Sequence, residues 1–144
     1  FLNWGDLDAD SPNYLRAGAP IAMCLAPTIS LRDGEPELAL GTPGSYGILQ
    51  TQAQALVQYA DYGLDLQSAI EAPRMRAYDG NYLAIENRIN NDVIAELQTR
   101  GHVVDVVAPW NMKMGGLHAI ARDASTGVLT GAADPRRDGY AMMA

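Results

Sequence analysis

The segment Gly41-Thr42-Pro43-Gly44-Ser45-Tyr46-Gly47 lies between a strand-like apolar run, Leu38-Ala39-Leu40, and a long helical pattern. Within these few residues the chain must leave a strand, reverse and enter a helix, and glycine supplies the backbone freedom for that path. The turn also leaves backbone N–H groups without intrahelical partners, near the positive end of a helix dipole. Two readings follow. The glycines serve sterics alone, or the turn holds an anion, including the oxyanion formed when an amide carbonyl is attacked.

The flanking pattern is an alternation of strands and helices. A coil, Gly5 to Pro20, is followed by a strand over Cys24–Leu31, a turn at Arg32-Asp33-Gly34-Glu35 and a second strand over Glu37–Gly41, which together predict a hairpin. Ile48–Tyr62 reads as a helix with Leu49, Ala53, Leu56, Val57 and Ala60 on one face, closed by Gly63. Asp65 suits the cap of a short helix over Leu66–Glu71 that Pro73 stops. Further on come a strand at Tyr82–Glu86, a helix capped by Asn91 and ending at Gly101, and a strand at His102–Val107. A loop, Ala108–Gly116, leads to a hairpin of Leu117–Arg122 with Val128–Ala133. Hairpins mixed with helices predict an α+β layered domain with a largely antiparallel sheet, not a regular βαβ nucleotide-binding fold.

A length of 144 residues suits one domain with a substantial core. The net charge of −7 and the absence of a basic run longer than Arg136-Arg137 argue against nucleic acid as a partner. No apolar run approaches a membrane span, and the reading is of a soluble protein of the cytoplasm or periplasm. Cys24 is the single cysteine, so no intrachain disulfide forms. Phe1 is not a native start, and the chain reads as a fragment or a processed product.

Of the parts a hydrolase requires, only the oxyanion stabiliser is visible. His102 and His118 lack metal-ligand spacing, and no metal or organic cofactor is indicated. Cys24 reads as a small buried thiol within a strand. Ser45 is a possible nucleophile by position, but no glycine stands two residues before it as the G-x-S-x-G elbow requires. Asp134-Pro135-Arg136-Arg137-Asp138 reads as a salt-bridged turn or, alternatively, as a carboxylate-binding one.

Several segments in order carry a family resemblance: Ala26-Pro27-Thr28-Ile29, Leu31-Arg32-Asp33-Gly34, Leu40-Gly41-Thr42-Pro43-Gly44, Asp61-Tyr62-Gly63-Leu64, Glu71-Ala72-Pro73-Arg74, Gly115-Gly116-Leu117-His118-Ala119-Ile120 and Gly131-Ala132-Ala133-Asp134-Pro135-Arg136. From about Asn3 to Tyr140 the chain resembles the C-terminal, small-subunit part of the γ-glutamyltransferase family. That resemblance implies a four-layer αββα sandwich of the N-terminal-nucleophile hydrolase type, made by self-cleavage of a precursor. It also implies the large-subunit chain of that precursor as partner, a small-molecule amide or γ-glutamyl substrate, and an N-terminal threonine nucleophile whose α-amine is the base. Gly44 and Ser45 match the family's pair of oxyanion-hole glycines, where one donor is typically worth about 3–4 kcal/mol of barrier.

The sequence departs from the family pattern in three places. The nucleophilic threonine is expected upstream of Phe1, since none of Thr28, Thr42, Thr51, Thr99, Thr126 and Thr130 stands at an N-terminus. The serine pair that holds the glutamyl α-carboxylate aligns with Met23-Cys24, which are poor carboxylate donors. Ser45 replaces the second glycine. Asp6 is the opening-loop acid nearest to the family's α-amine ligand. The resemblance thus implies an amidohydrolase or acyltransferase, transferring γ-glutamyl or a different acyl group. The alternatives are a serine hydrolase using Ser45 and a degenerate, non-catalytic relative. The hairpin strands are expected to sit centrally in the sheet, and missing upstream strands to leave an unpaired edge.

Overall fold

The computed structural model describes residues 5–20 and 23–142. Its strands are Thr28–Arg32 (β1), Glu35–Gly41 (β2), Met75–Ala77 (β3), Tyr82–Glu86 (β4), Val103–Val107 (β5), His118–Arg122 (β6) and Leu129–Ala133 (β7). The helices are Ile48–Ala60 (α1), Leu66–Glu71 (α2) and Asn91–Thr99 (α3). One sheet, ordered β1-β2-β6-β7, is antiparallel throughout, and a second is ordered β3-β4-β5. The β1–β2 hairpin turns on Asp33 and Gly34, both at positive φ (54° and 84°), the two-residue geometry that matches strand twist.

Alternation gives the four-stranded sheet two distinct faces. Leu38, Leu40, Ala119, Ala121 and Ala132 point inward and form the core with Ala55 of α1 and Leu66 and Ile70 of α2. The register Ile29↔Ala39, Ala39↔Ile120 and Ile120↔Gly131 sets a second row across all four strands on the other face. There Ile29 is 69% and Ile120 53% exposed, so the chain supplies one helix layer and one sheet whose far side is open. A satellite core of Leu83, Ile85 and Ile94 holds α3 against the smaller sheet.

Four expectations need correction. The strand predicted over Cys24–Leu31 starts only at Thr28, because Pro27 has no N–H and the Ala26 carbonyl is taken by the Gln52 side chain (2.6 Å). Cys24 is therefore half-buried coil, not a strand thiol. The α1 face is also different. Ile48, Thr51, Gln52 and Ala55 are buried, whereas Leu49 (60%) and Val57 (42%) are exposed, because Thr51 and Gln52 bind backbone groups of neighbouring segments. The expectation of largely antiparallel pairing holds, with β4 and β5 the one parallel pair among the named strands, across α3. Finally, β1 lies at the edge of its sheet; β2 is interior. The cap of α3 also falls one residue earlier than predicted, with Asn90 Oδ1 accepting from Asp92 N–H (2.9 Å), whereas Asp65 caps α2 as predicted.

Glutamine side chains close two strand edges. Gln50 accepts from the Ala77 N–H (2.7 Å) and donates to its carbonyl (3.0 Å), and Gln54 does the same at Met75 (3.0 and 2.9 Å). The free edge of β3 is thus paired with α1. Gln67 of α2 likewise binds both backbone groups of Ala133 on β7 (3.1 and 2.9 Å).

The two sheets meet over a buried cluster of two arginines and two carboxylates: Arg74, Glu86, Asp134 and Arg136, exposed by 1%, 0%, 0% and 5%. Asp134 accepts from Arg74 Nη1 (2.7 Å), Arg136 Nη1 (3.1 Å) and the Leu117 N–H (3.1 Å). Glu86 accepts from Arg136 Nε (2.8 Å) and Nη2 (2.7 Å), Arg88 Nη2 (2.9 Å), and the Arg74 and Asn111 N–H groups (3.0 and 3.1 Å). Trp110 covers the cluster, with the Arg88 guanidinium 3.6 Å from its ring centroid. The charged turn of the sequence analysis is therefore salt-bridged, and its Asp134 and Arg136 are too buried to meet a substrate.

Burial opposes the charge on Glu86, but its hydrogen bonds from Arg136, Arg74 and Arg88 outweigh that and hold the carboxyl below its ordinary value. A depressed carboxylate stabilises the fold above the unfolded value and loses that contribution as pH falls through the folded one. Glu86→Gln should therefore lower the stability of the complete protein by about 3–5 kcal/mol in urea unfolding at neutral pH, with the deficit shrinking as the solution is acidified. Removing the exposed Arg100–Glu96 pair by Arg100→Gln should shift it by less than ~0.5 kcal/mol.

Candidate active-site turn

Between β2 and α1 the turn adopts the backbone that its glycines permit. Gly44 sits at φ 153°, ψ 11°, and Ser45 at φ 55°, in the left-handed region. A single 3-10 turn over Ser45–Gly47 follows, closed by the Gly47 N–H to the Gly44 carbonyl (3.0 Å). Among the described residues, neither the Gly44 nor the Ser45 N–H donates a hydrogen bond to the protein. Two adjacent donors at the mouth of a helix can stabilise a developing negative charge on oxygen.

The turn is buttressed by the loop before β6. The Thr42 hydroxyl accepts from the Gly116 N–H (3.0 Å) and donates to the Pro43 carbonyl (2.8 Å), while Thr51 Oγ1 donates to the Met114 carbonyl (3.0 Å). A Cβ on Gly115 would lie 2.8 Å from Thr51 and 2.9 Å from Thr42, at φ 101°, so only glycine fits between the two threonines. Three successive carbonyls of this loop each accept from an arginine: Met112 from Arg137 (3.1 Å), Lys113 from Arg76 (3.2 Å) and Met114 from Arg74 (3.0 Å). Arg74 thus joins the buried charge cluster to the back of the turn. Sequence reasoning did not find Thr42, Thr51 or Arg74 as supports; the one signal was the adjacency of Pro73-Arg74 and Asp134-Pro135-Arg136 to otherwise apolar segments.

The other candidate residues do not join the turn by polar contacts. Met23 is exposed and Cys24 half-buried in coil, on a segment tied to α1 through Gln52, which binds the Ala26 carbonyl and the Thr28 hydroxyl (2.7 Å). Asp6 belongs to its own loop. Its backbone pairs with Asn13 and Leu15, and its carboxylate accepts from the Asp8 N–H (3.0 Å), the main reason that it is held below the ordinary range. Ser45 Oγ has no base bonded to it among the described residues. His118 lies on β6 with Nδ1 on the Gly116 carbonyl (3.1 Å), and His102 is half-buried before β5. Among the described residues there is no group of side chains that could hold a metal ion, and no helix is long and apolar enough to cross a membrane.

The family model for gamma-glutamyltranspeptidase matches residues 2–144. The chain belongs to the gamma-glutamyltranspeptidase family. It is 36% identical over 141 residues to the glutathione hydrolase-like YwrD proenzyme of Bacillus subtilis (strain 168), covering 94% of this chain and 27% of that one. To the acylase ACY 1 proenzyme of Pseudomonas sp. (strain SE83) it is 39% identical over 122 residues, 85% of this chain and 21% of the other. The chain therefore spans about a quarter of the length of these curated relatives. The crystal structure of the cephalosporin acylase from Bacillus halodurans superposes with a TM-score of 0.85 at 29% identity, over 93% of this chain and 25% of that chain. The α+β fold is thus that of the gamma-glutamyltranspeptidases and related acylases, to which this chain contributes a sheet and its helix layer.

Strain in the turn gives a test independent of activity. Ser45→Gly should stabilise the complete protein by ~1–2 kcal/mol in thermal unfolding, because a left-handed L-residue carries a Cβ penalty that glycine lacks. Gly44→Ala should destabilise it by ~1–3 kcal/mol, since its φ of 153° with ψ near zero suits glycine alone.

Proposed function

We propose that this chain is the C-terminal part of the small, catalytic subunit of a γ-glutamyltransferase-like amidohydrolase or acyltransferase, with Gly44 and Ser45 as its oxyanion hole. The observation that supports this reading is the pair of adjacent N–H groups at the Gly44-Ser45 turn, held from behind by Thr42, Thr51 and the arginine-fastened loop. The N-terminal threonine exposed by precursor cleavage attacks the amide carbonyl, and its α-amine accepts the hydroxyl proton. The turn takes the oxyanion, the C–N bond breaks, and the leaving amine takes up the proton. Water or an acceptor amine then attacks the resulting ester and releases the threonine. Ser45 contributes through its backbone. Its side chain has no base at hand, and its alignment with a family glycine makes the N–H the relevant group.

Met23 and Cys24 stand where the family's serine pair holds an α-carboxylate, and one relative named above is an acylase. We infer that the acyl group differs from γ-glutamyl, for example a cephalosporin-type side chain or a small amide. Turnover of a γ-glutamyl anilide equal to or above that of other amides would refute this part.

The large-subunit chain of the same precursor is the partner proposed for the open sheet face and for the β1 edge. The isolated 144-residue chain should consequently be insoluble or lack a cooperative melt, and a sharp two-state transition would contradict the assignment. The decisive experiment is denaturing mass spectrometry with N-terminal sequencing of protein made from the complete gene. Two chains, the smaller beginning with threonine and containing this sequence, support autoprocessing. One uncleaved chain indicates a degenerate, non-catalytic relative. In the processed enzyme, Ser45→Ala should keep kcat within about tenfold, because the N–H donor survives; loss of the whole 10²–10³-fold contribution of an oxyanion donor, or more, would make the hydroxyl itself catalytic.

A further inference from the structure

The carbonyl of Pro43 and the N–H of Gly44 belong to one planar peptide group, so whatever fixes the first also aims the second. In a trans peptide the two bonds point in opposite directions. The orientation of this group therefore decides whether the turn presents a hydrogen-bond donor or an acceptor at that point. The two flanking residues leave the choice open. Reversing the plane changes the ψ of Pro43, which the ring does not lock, and the φ of Gly44, which no Cβ restricts. Pairing of β2 with β6 ends at Gly41, opposite His118, so no strand partner holds the group either.

What holds it is the Thr42 side chain. Its hydroxyl donates its single proton to the Pro43 carbonyl (2.8 Å). The other side of the oxygen accepts from the Gly116 N–H (3.0 Å), which directs that proton at the carbonyl. Gly116 is fixed in turn. Its own carbonyl accepts from His118 Nδ1 (3.1 Å), and the Leu117 N–H beside it donates to Asp134 (3.1 Å). Gly115 leaves no slack, since a Cβ there would lie 2.9 Å from Thr42 Oγ1. Thr51, the second threonine at Gly115, donates instead to the Met114 carbonyl and so holds the loop, not this peptide. A relay thus runs from the Gly116 N–H through the Thr42 hydroxyl to the Pro43 carbonyl. It emerges at the Gly44 N–H, which has no acceptor among the described residues. Hydrogen bonds in such a chain polarise one another, so the relay aims the last N–H and also makes it a stronger donor.

We propose that Thr42 is the positioning residue that sets the Pro43–Gly44 peptide, keeping the Gly44 N–H turned toward the substrate carbonyl and the Pro43 carbonyl turned away from it. The inference rests on the oxyanion-hole reading of Gly44 and Ser45. Without the hydroxyl the peptide reverses in part of the molecules, and the Pro43 carbonyl then meets the developing oxyanion as a repelling dipole. The effect falls on the transition state, where the negative charge appears, and not on substrate binding.

Steady-state kinetics of the complete processed enzyme on an amide substrate supply the test. Thr42→Val keeps the branched shape and removes the hydroxyl proton. It should lower kcat about tenfold, as expected when one ordinary hydrogen bond no longer favours the competent orientation, with KM within about twofold of wild type. Thr42→Ser restores the hydroxyl without the methyl and should recover most of the loss. A Thr42→Ser enzyme as slow as Thr42→Val would mean that the side chain acts by packing. An unchanged kcat in Thr42→Val, whatever its KM, would mean that the hydroxyl does not set the donor; either result overturns the proposal. If the wild-type protein turns over no amide, the amidohydrolase reading fails by itself. Crystal structures of the complete wild-type and Thr42→Val proteins then decide this one. A Pro43 carbonyl turned about in the variant upholds the assignment, and one that keeps its wild-type direction refutes it.

Discussion

Four buried charges hold this structure together, and they work only as a set. Arg74, Glu86 and the Asp134–Arg136 turn come from three stretches of chain, and each charge is removed from water nearly completely. Desolvation at that depth costs several kcal/mol per ion, so each charge is tolerable only while its partners stand in place. The same guanidiniums also satisfy carbonyls at Ile70 and Ala72, where α2 ends, and at Met114 behind the turn. A single polar cluster thereby sets the relative positions of both sheets, the end of α2 and the loop that supports Gly44 and Ser45. Hydrophobic packing alone would leave that loop free to slide, since its own contribution to the core is chiefly Met114 and Leu117.

For the oxyanion hole proposed above the support matters, because such a donor acts by being in position before charge develops. Gly115, wedged between Thr42 and Thr51, and the arginine-bound carbonyls on either side leave the turn little room to adjust. Ser45 accepts a left-handed backbone in that setting, a cost carried by the surrounding hydrogen bonds.

Much of the architecture was legible in the sequence where local chemistry dictates it. Asp33-Gly34 selects a two-residue hairpin, Asp65 and Pro73 bound a short helix, and the Gly44-Ser45 turn lies where a strand-to-helix reversal demands it. The ordered family segments, not any pattern of burial, pointed to the acylase-type fold. Other features were hidden for identifiable reasons. α1 buries Thr51 and Gln52 and exposes Leu49, because the polar pair completes hydrogen bonds that only the assembled tertiary structure creates. Three residues, Met75-Arg76-Ala77, have too little alternation to announce a strand, and their pairing comes partly from side chains of a helix. The parallel alignment of β4 with β5 follows from where α3 packs, which its apolar positions do not specify in advance.

Those glutamine side chains have a consequence for assembly. A strand edge recruits another strand only while its N–H and C=O groups are unmatched. Gln50 and Gln54 saturate β3 from within the same chain, and Gln67 does so at the end of β7. A nascent precursor carrying this sequence thus has fewer seams at which a stray strand can add. Among the described residues no such amide covers the β1 edge, the one proposed above for the large-subunit chain, so three glutamines outside the hydrophobic core limit where a further strand can add.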